Sequence, residues 1–268
     1  FFLKQKYICN KQLTKMIKRN LLILPSFFLL PLQRINRFIP GGNHHEIKID
    51  KLDRDIHNII HKYKSHISFT NAEELKGKKS LNEFGIPKNA KIICLIVRDS
   101  AYLDRYNDNK LKNFNYHNYR DGDIDRYVLA AEELSKRGYY VFRMGVKVNK
   151  PLKISNPKII DYANSKMKSD FMDIYLGAKC IFCVSTSCGF DAIPYVFRKP
   201  IAHIDVPIGY MHTETAKDLL LTKHHFNKKN NKKLTVSEIF SSNTALSIYT
   251  EEYEKNNIIL EENSPEEI

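Results

Sequence analysis

Three short polar runs carry the residue types that hold phosphates and sugars, and each directly follows an apolar run. Arg98-Asp99-Ser100 follows Lys91-Ile92-Ile93-Cys94-Leu95-Ile96-Val97, and Arg143-Met144-Gly145 follows Tyr139-Tyr140-Val141-Phe142. Ser185-Thr186-Ser187-Cys188-Gly189 follows Cys180-Ile181-Phe182-Cys183-Val184. The last is the most informative. Consecutive small residues let backbone N–H groups approach an anion, and a helix starting at Phe190 would aim its positive N-terminus at the same point. Asp191, in that helix's first turn, is the candidate for a ribose or sugar hydroxyl. Arg98 and Arg143 are the candidates for phosphate, through charge-assisted hydrogen bonds. A structural reading stands beside each: Arg98 paired with Asp99, Arg143 with an acid on a flanking helix, Asp191 offsetting a helix dipole. The loop is not a P-loop, because no Gly-Lys-Ser/Thr follows, and no GxGxxG fingerprint is present.

These runs are useful only if the fold brings them together, and the surrounding pattern supplies a reason to expect it. The 91–97 and 180–184 runs are apolar at nearly every position, as strands buried on both faces must be. Between them, Asp123 is placed to cap a helix over 124–137, ended by Gly138, and Ser169 to cap another over 170–179. Residues 139–142, 158–162, 200–204 and 258–260 read as further strands, and 190–197 as a helix. Strand and helix alternating with short connections predict a Rossmann-like parallel α/β sheet covered by helices on both faces. In such a sheet ligands sit outside the carboxyl ends of the strands, where the three polar runs lie.

Upstream, Thr70 and Glu73 form a capping-box pattern for a helix over 71–84, with Gly85 at its end. Helical spacing also marks 47–64, and Pro87-Lys88-Asn89 breaks the chain before the first strand. The expected division is therefore 1–85, the remnant of an N-terminal domain with its linker, and 86–268, the sheet domain. Phe1 at the start, and Ser264-Pro265-Glu266-Glu267 reading as a helix start at the end, are read as the marks of a fragment with a truncated C-terminal helix.

The most apolar stretch, Leu21 to Leu32, is shorter than the ~20 residues of a spanning helix, and Pro25 and Pro31 interrupt it. It reads first as a buried helix–loop and second as a membrane-surface contact. The second reading draws on residues 1–48, which hold nine Lys+Arg and one acid, a balance suited to peripheral contact with an anionic membrane.

The whole chain has 268 residues, with 43 Lys+Arg against 30 Asp+Glu for a formal charge of +13, and 43% hydrophobic content. That composition excludes a disordered or collagen-like chain and favours an anionic ligand. Five Cys, an odd number, form no disulfide framework and read as reduced cytoplasmic thiols. Cys180 and Cys183, three apart on a strand, are expected on opposite faces, which excludes a shared metal and leaves them as buried hydrophobes. Cys188, in the loop, is the candidate reactive thiol. No Asp-x-Asp stands at a strand end, so no metal is expected. The basic 224–233 and acidic 251–268 segments read as solvated surface, and nucleic acid is not the expected partner.

Cys183-Val184-Ser185-Thr186-Ser187-Cys188-Gly189-Phe190-Asp191-Ala192-Ile193-Pro194, then Arg198-Lys199-Pro200-Ile201, resembles the donor-site segment of GT-B glycosyltransferases. The same segment occurs in the related non-hydrolysing UDP-GlcNAc 2-epimerases. Val97-Arg98-Asp99-Ser100-Ala101-Tyr102, Tyr116-His117-Asn118-Tyr119-Arg120, Arg143-Met144-Gly145 and Ser169-Asp170-Phe171-Met172-Asp173 resemble a family of bacterial surface-polysaccharide glycosyltransferases. That resemblance runs from about residue 21 to the end. It implies a GT-B-like fold and transfer of a sugar from a nucleotide-sugar donor to a glycan or lipid-linked acceptor, in a cleft between two Rossmann-like domains. The nucleotide sugar would be a co-substrate with no further cofactor. Independently of the resemblance, the thiols point to the cytoplasm and the basic N-terminal stretch to the inner face of its membrane. The donor would lie against Arg98, Asp99, Ser100, Arg143, Gly145, Ser185, Thr186, Ser187, Gly189 and Asp191. The chain departs from the family pattern in having Ser187-Cys188 after the loop Thr, and from common GT-B practice in having Asp191 where Glu is frequent.

An inverting transfer needs a base on the acceptor hydroxyl. His117, in the long polar segment after the first strand, is the candidate, against a surface or structural histidine. Two other classes remain open: a 2-epimerase on the same fold, and a basic polyanion- or nucleic-acid-binding module.

Overall fold

The computed structural model describes residues 8–45, 59–107, 114–210 and 215–268. In chain order the first elements are α1 (Lys11–Asn20), α2 (Ser26–Asn36), α3 (Ile59–Lys62), α4 (Asn71–Glu83), β1 (Lys91–Ile96) and α5 (Ala101–Asn107). Then come α6 (Val128–Lys136), β2 (Tyr139–Arg143), β3 (Ile159–Ile160), α7 (Asp170–Lys179), β4 (Phe182–Ser185), α8 (Ala192–Val196), β5 (Ile201–Val206) and β6 (Leu219–Thr222). The last are β7 (His224–Asn227), β8 (Lys232–Lys233), α9 (Val236–Ser241), α10 (Thr250–Lys255) and β9 (Ile258–Glu261).

Six strands form a parallel sheet in the order β3-β2-β1-β4-β5-β6. This is the order of a doubly wound, Rossmann-like sheet, with its reversal between β1 and β4. The apolar run of β1 has a direct cause in the layers on either side. Ile92, Cys94 and Ile96 enter one core with Phe142, Phe171, Tyr175 and Leu176. Ile93, Leu95 and Val97 enter the other with Tyr127, Ala131, Val141 and Val184. Alternate side chains of one strand are thus buried on opposite faces, and beyond the exposed Lys91 no polar position is left along it.

Helix starts follow the local signals. Thr70 and Glu73 form the capping box of α4, and Ser169 Oγ accepts the Met172 N–H at the start of α7. Glu73 also accepts two hydrogen bonds from Arg19 Nη1, at 3.0 and 2.9 Å, and one from Gln12. Burial works against its charge, yet the bonds from Gln12, Thr70 N–H and Arg19 hold its pKa down to about 2. Asn10 Nδ2 donates to Asp170 O at 2.9 Å, which fixes α1 to α7. Gly77 of α4 lies so close to α7 that a Cβ there would meet the Tyr175 ring at 2.3 Å.

Several expectations need correction. The segment over 124–137 opens as a 3-10 turn, Ile124–Tyr127, before α6, and Asp123 accepts from Asp125 N. The segment after β1 holds α5 and a 3-10 turn, Asn115–Arg120. The helix expected over 47–64 falls mostly outside the described residues, and α3 is its visible end. Within 224–233, residues 228–233 are exposed as expected, but the segment is not all loop. β7 and β8 pair antiparallel there, and β9 joins β7 in a separate three-stranded sheet rather than extending the parallel one. β6, at the sheet edge, has no counterpart among the expected strands.

Cys180 and Cys183 do not face apart. Cys180 caps α7 before β4 begins, and both thiols enter the same core as Cys94. The helix α2 runs through Pro31 and buries none of its residues, so the buried helix–loop reading of 21–32 fails. Among the described residues no helix is long and apolar enough to cross a membrane.

Candidate functional site

The reversal between β1 and β4 leaves a crevice at their carboxyl ends, and the residues there tie the two strands together. Arg98 N donates to Thr186 Oγ1 at 2.8 Å, and Thr186 N to Ile96 O at 3.2 Å. The 3-10 turn Asn115–Arg120 folds over this junction. Arg98 Nη1 donates to the Asp121 carboxylate and to His117 O, and Arg120 Nη2 donates to Ser187 O at 2.7 Å. Lys223, at the end of β6, donates to Asp121 O at 2.6 Å.

Arg98, His117 and Arg120 thus converge on the crevice. Burial, then the charges of Arg120 and Arg98, hold the His117 pKa below its ordinary value, so the imidazole is neutral at pH 7. Its Nδ1 is buried without a hydrogen-bond partner.

Beside the junction, at the end of β1, lies a cavity of about 260 Å³. The carboxylates of Asp99, Asp121, Asp123 and Glu262 line it above Val97 and Ile124. The loops hold these groups in place. Asp99 accepts from Ala101 N at 3.1 Å and Asn149 N at 2.9 Å, while Asn149 Nδ2 donates to Ser100 Oγ at 3.3 Å. Glu262 accepts from Asp123 N at 2.9 Å and lies 3.7 Å from Arg126. Lys150, also on the rim, bridges Asp123 and Asp125 at 2.5 and 2.6 Å. Carboxylates accept hydroxyl hydrogen bonds and the two apolar side chains offer a surface for ring C–H groups. This is the surface chemistry a ribose or a sugar ring requires.

The small-residue loop after β4 is organised differently from the expected anion cradle. Thr186 N–H closes on Ile96 O, Ser187 N–H on Ser185 Oγ at 3.0 Å, and Cys188 N–H on Asp191 Oδ2 at 3.0 Å. Asp191 is turned inward, 5% exposed, and its Oδ1 accepts from Ser185 Oγ at 2.6 Å. It braces the loop and does not face a ribose. Ser187 adopts a left-handed φ of 61°. Gly189 faces open space, with nothing beyond its own chain neighbours within 4 Å of the point where a Cβ would stand. Desolvation of the half-buried Cys188 sulfur, then the Asp191 carboxylate, push that thiol's pKa up to about 12, which keeps the candidate reactive thiol protonated at neutral pH.

The third polar run stands apart. Arg143 is 1% exposed, and its guanidinium donates to Asp161 at 3.2 Å, so it supports the β2–β3 edge from inside. Gly145 has φ 155°, and a Cβ there would meet Val148 Cγ1 at 2.7 Å. Gly145→Ala is expected to destabilise the fold by about 2 kcal/mol, read as a lower urea midpoint with unchanged slope. A midpoint equal to the wild type would show that this turn relaxes freely.

Sequence reasoning misses Arg120, Asp121, Asp123 and Glu262 as site residues. Arg120 is visible there only within a motif. The Asp121-Gly122-Asp123 run, a turn of acids before a helix, is the one signal for the cavity rim. Among the described residues no group of three or more His, Cys, Asp or Glu is placed to hold a metal ion. Compared with protein-family models, with curated proteins and with solved structures, the chain matches none.

Proposed function

We propose that this chain is the nucleotide-sugar-binding part of a GT-B-type glycosyltransferase. It would move a sugar from a nucleotide-sugar donor to a glycan or lipid-linked acceptor in cell-surface polysaccharide synthesis. The observation that carries the reading is the carboxylate-lined cavity at the end of β1, next to the β1/β4 reversal and the Arg98–Arg120 pair. The carboxylates take the hydroxyls. Arg98 and Arg120 supply the positive field that a diphosphate needs when bound, and more so as it departs. In an inverting transfer the acceptor oxygen bonds to the anomeric carbon, the carbon–phosphate oxygen bond breaks, and the nucleoside diphosphate leaves with that electron pair. The acceptor's proton goes to a base, and neutral His117 is the candidate on this side of the site. The sequence resemblance supports the same assignment.

The test is calorimetric titration of the chain with UDP, GDP, CMP and TDP, beside an Arg98→Met variant and a scrambled oligonucleotide. Saturable binding of one nucleotide is expected, at least about tenfold weaker in the variant, which corresponds to about 1.4 kcal/mol. Circular dichroism of the variant separates lost binding from lost fold. Binding of no nucleotide, with salt-sensitive binding of the oligonucleotide, would overturn the reading in favour of a polyanion module.

A further inference from the structure

The chain displays a concentration of exposed apolar side chains on α2 and its flanks. Leu22, Phe27, Phe28, Leu32, Ile35 and Phe38, on α2 and its flanks, are each more than half exposed, Phe38 at 87%. Scattered exposed hydrophobes are ordinary, but six within 17 consecutive residues, on one helix and its flanks, are a concentration that water does not favour. Along the sequence, the charge of this N-terminal stretch has one sign. No acidic residue precedes Glu46, whereas Lys11, Lys15, Lys18, Arg19, Arg34 and Arg37 lie between residues 8 and 45. Lys11, Lys15, Lys18 and Arg19 line a hollow of about 480 Å³ along α1, with Ile8 and Thr14. Lys15 and Arg19 reach Glu73 from the same helix, while Lys11 and Lys18 project from it into the hollow's lining.

We infer that α1 and α2 form a peripheral docking surface for an anionic lipid bilayer. The aromatic and aliphatic side chains of α2 enter the headgroup–acyl boundary, and the cations of α1 meet lipid phosphates. An interfacial helix needs an apolar surface and flanking cations but not the length of a spanning helix, and α2 has 11 residues. Pro31 is tolerated there, since the helix buries none of its side chains and has no packed core contact to lose by bending. Charge selects this occupant. A second copy of the chain would bring the same cations against each other, whereas an anionic bilayer neutralises them. The attachment of α1 through Glu73 and Asp170 holds this surface to the sheet domain, so docking would fix the whole crevice at the membrane.

The experiment is co-sedimentation of the full chain with vesicles of phosphatidylcholine alone or containing about one-third phosphatidylglycerol. Light scattering of the free chain runs in parallel. Binding to the anionic vesicles is expected, weakened at least about tenfold by raised salt. A Phe27→Ser/Phe28→Ser double variant and a Lys11→Glu/Lys18→Glu double variant are each expected to lose at least about tenfold in partitioning. Both variants should keep the wild-type urea midpoint and nucleotide titration, because neither pair contributes to the core or the crevice. Equal binding to neutral and anionic vesicles, or no binding to either, would overturn the proposal. So would a wild-type dimer that the Phe27→Ser/Phe28→Ser variant converts to monomer, since the apolar surface would then be a self-interface.

Discussion

Asp205→Ala is expected to lower the unfolding free energy by about 4 kcal/mol or more, the largest single-residue effect expected in this fold, since three buried donors lose their acceptor together. The carboxylate is fully buried at the end of β5. Tyr127 Oη donates to its Oδ2 at 2.7 Å, and Asn263 N and Nδ2 donate to its Oδ1 at 2.7 and 2.6 Å. Each orphaned donor costs about 1–3 kcal/mol, and alanine adds a strain of about 1 kcal/mol at a left-handed position. The backbone φ of Asp205 is 55°. Asp205→Gly removes the same acceptor without that strain, so its midpoint should lie above that of alanine by the backbone share alone. Glu262 precedes Asn263 in the chain and lines the cavity, so loss of this node should also weaken the proposed nucleotide binding. Urea unfolding with calorimetry at one temperature checks both. An alanine variant within about 1 kcal/mol of the wild type would show that water replaces the carboxylate.

Asp191→Ala is expected to cost about 3 kcal/mol, through the Ser185 hydroxyl and the Cys188 N–H that it leaves unpaired. Titration gives this residue a second signature. Burial outweighs its hydrogen bonds and pushes its pKa up to about 6 from 3.8. The native state therefore holds a proton more tightly than the unfolded chain between those values. Stability from this group is complete below pH 4 and declines as pH rises toward 6, by about 3 kcal/mol in all. Asp191→Asn cannot titrate. The difference between wild-type and Asn unfolding free energies should therefore slope with pH between 4 and 6 and flatten above 7. A difference independent of pH across that window would contradict the inward, desolvated placement of the carboxylate. Gly145→Ala, by comparison, is a local turn effect with no pH signature.

Much of this arrangement is readable locally. Thr70 with Glu73, and Ser169 before its helix, announce themselves because a cap is made by residues within three positions of each other. The β1 and β4 runs announce a covered parallel sheet because burial on both faces leaves no polar position. The meeting of Arg98 with Ser185-Thr186 is readable because strand ends in such a sheet lie side by side at one edge. The roles of Arg143 and Asp191 are not readable. An arginine or aspartate at a strand end looks the same in sequence whether it turns outward to a ligand or inward to Asp161 or Ser185. The cysteines show the same limit: strand alternation puts Cys180 and Cys183 apart, but the strand starts two residues later.

The sequence by itself determined the alternation of strands and helices, the helix starts, the strand-end location of the polar runs and the cationic character of the first 45 residues. Those properties depend on neighbours along the chain: on capping, on periodicity and on charge. Tertiary structure decided the rest. It set the reversal between β1 and β4, and it bound Asp205 to Asn263 across 58 residues. It paired β7 with β9 rather than the parallel sheet, and it left the apolar surface of α2 uncovered. Each of these depends on which segments distant in sequence compete for the same partner, and on how much apolar surface the winning arrangement removes from water.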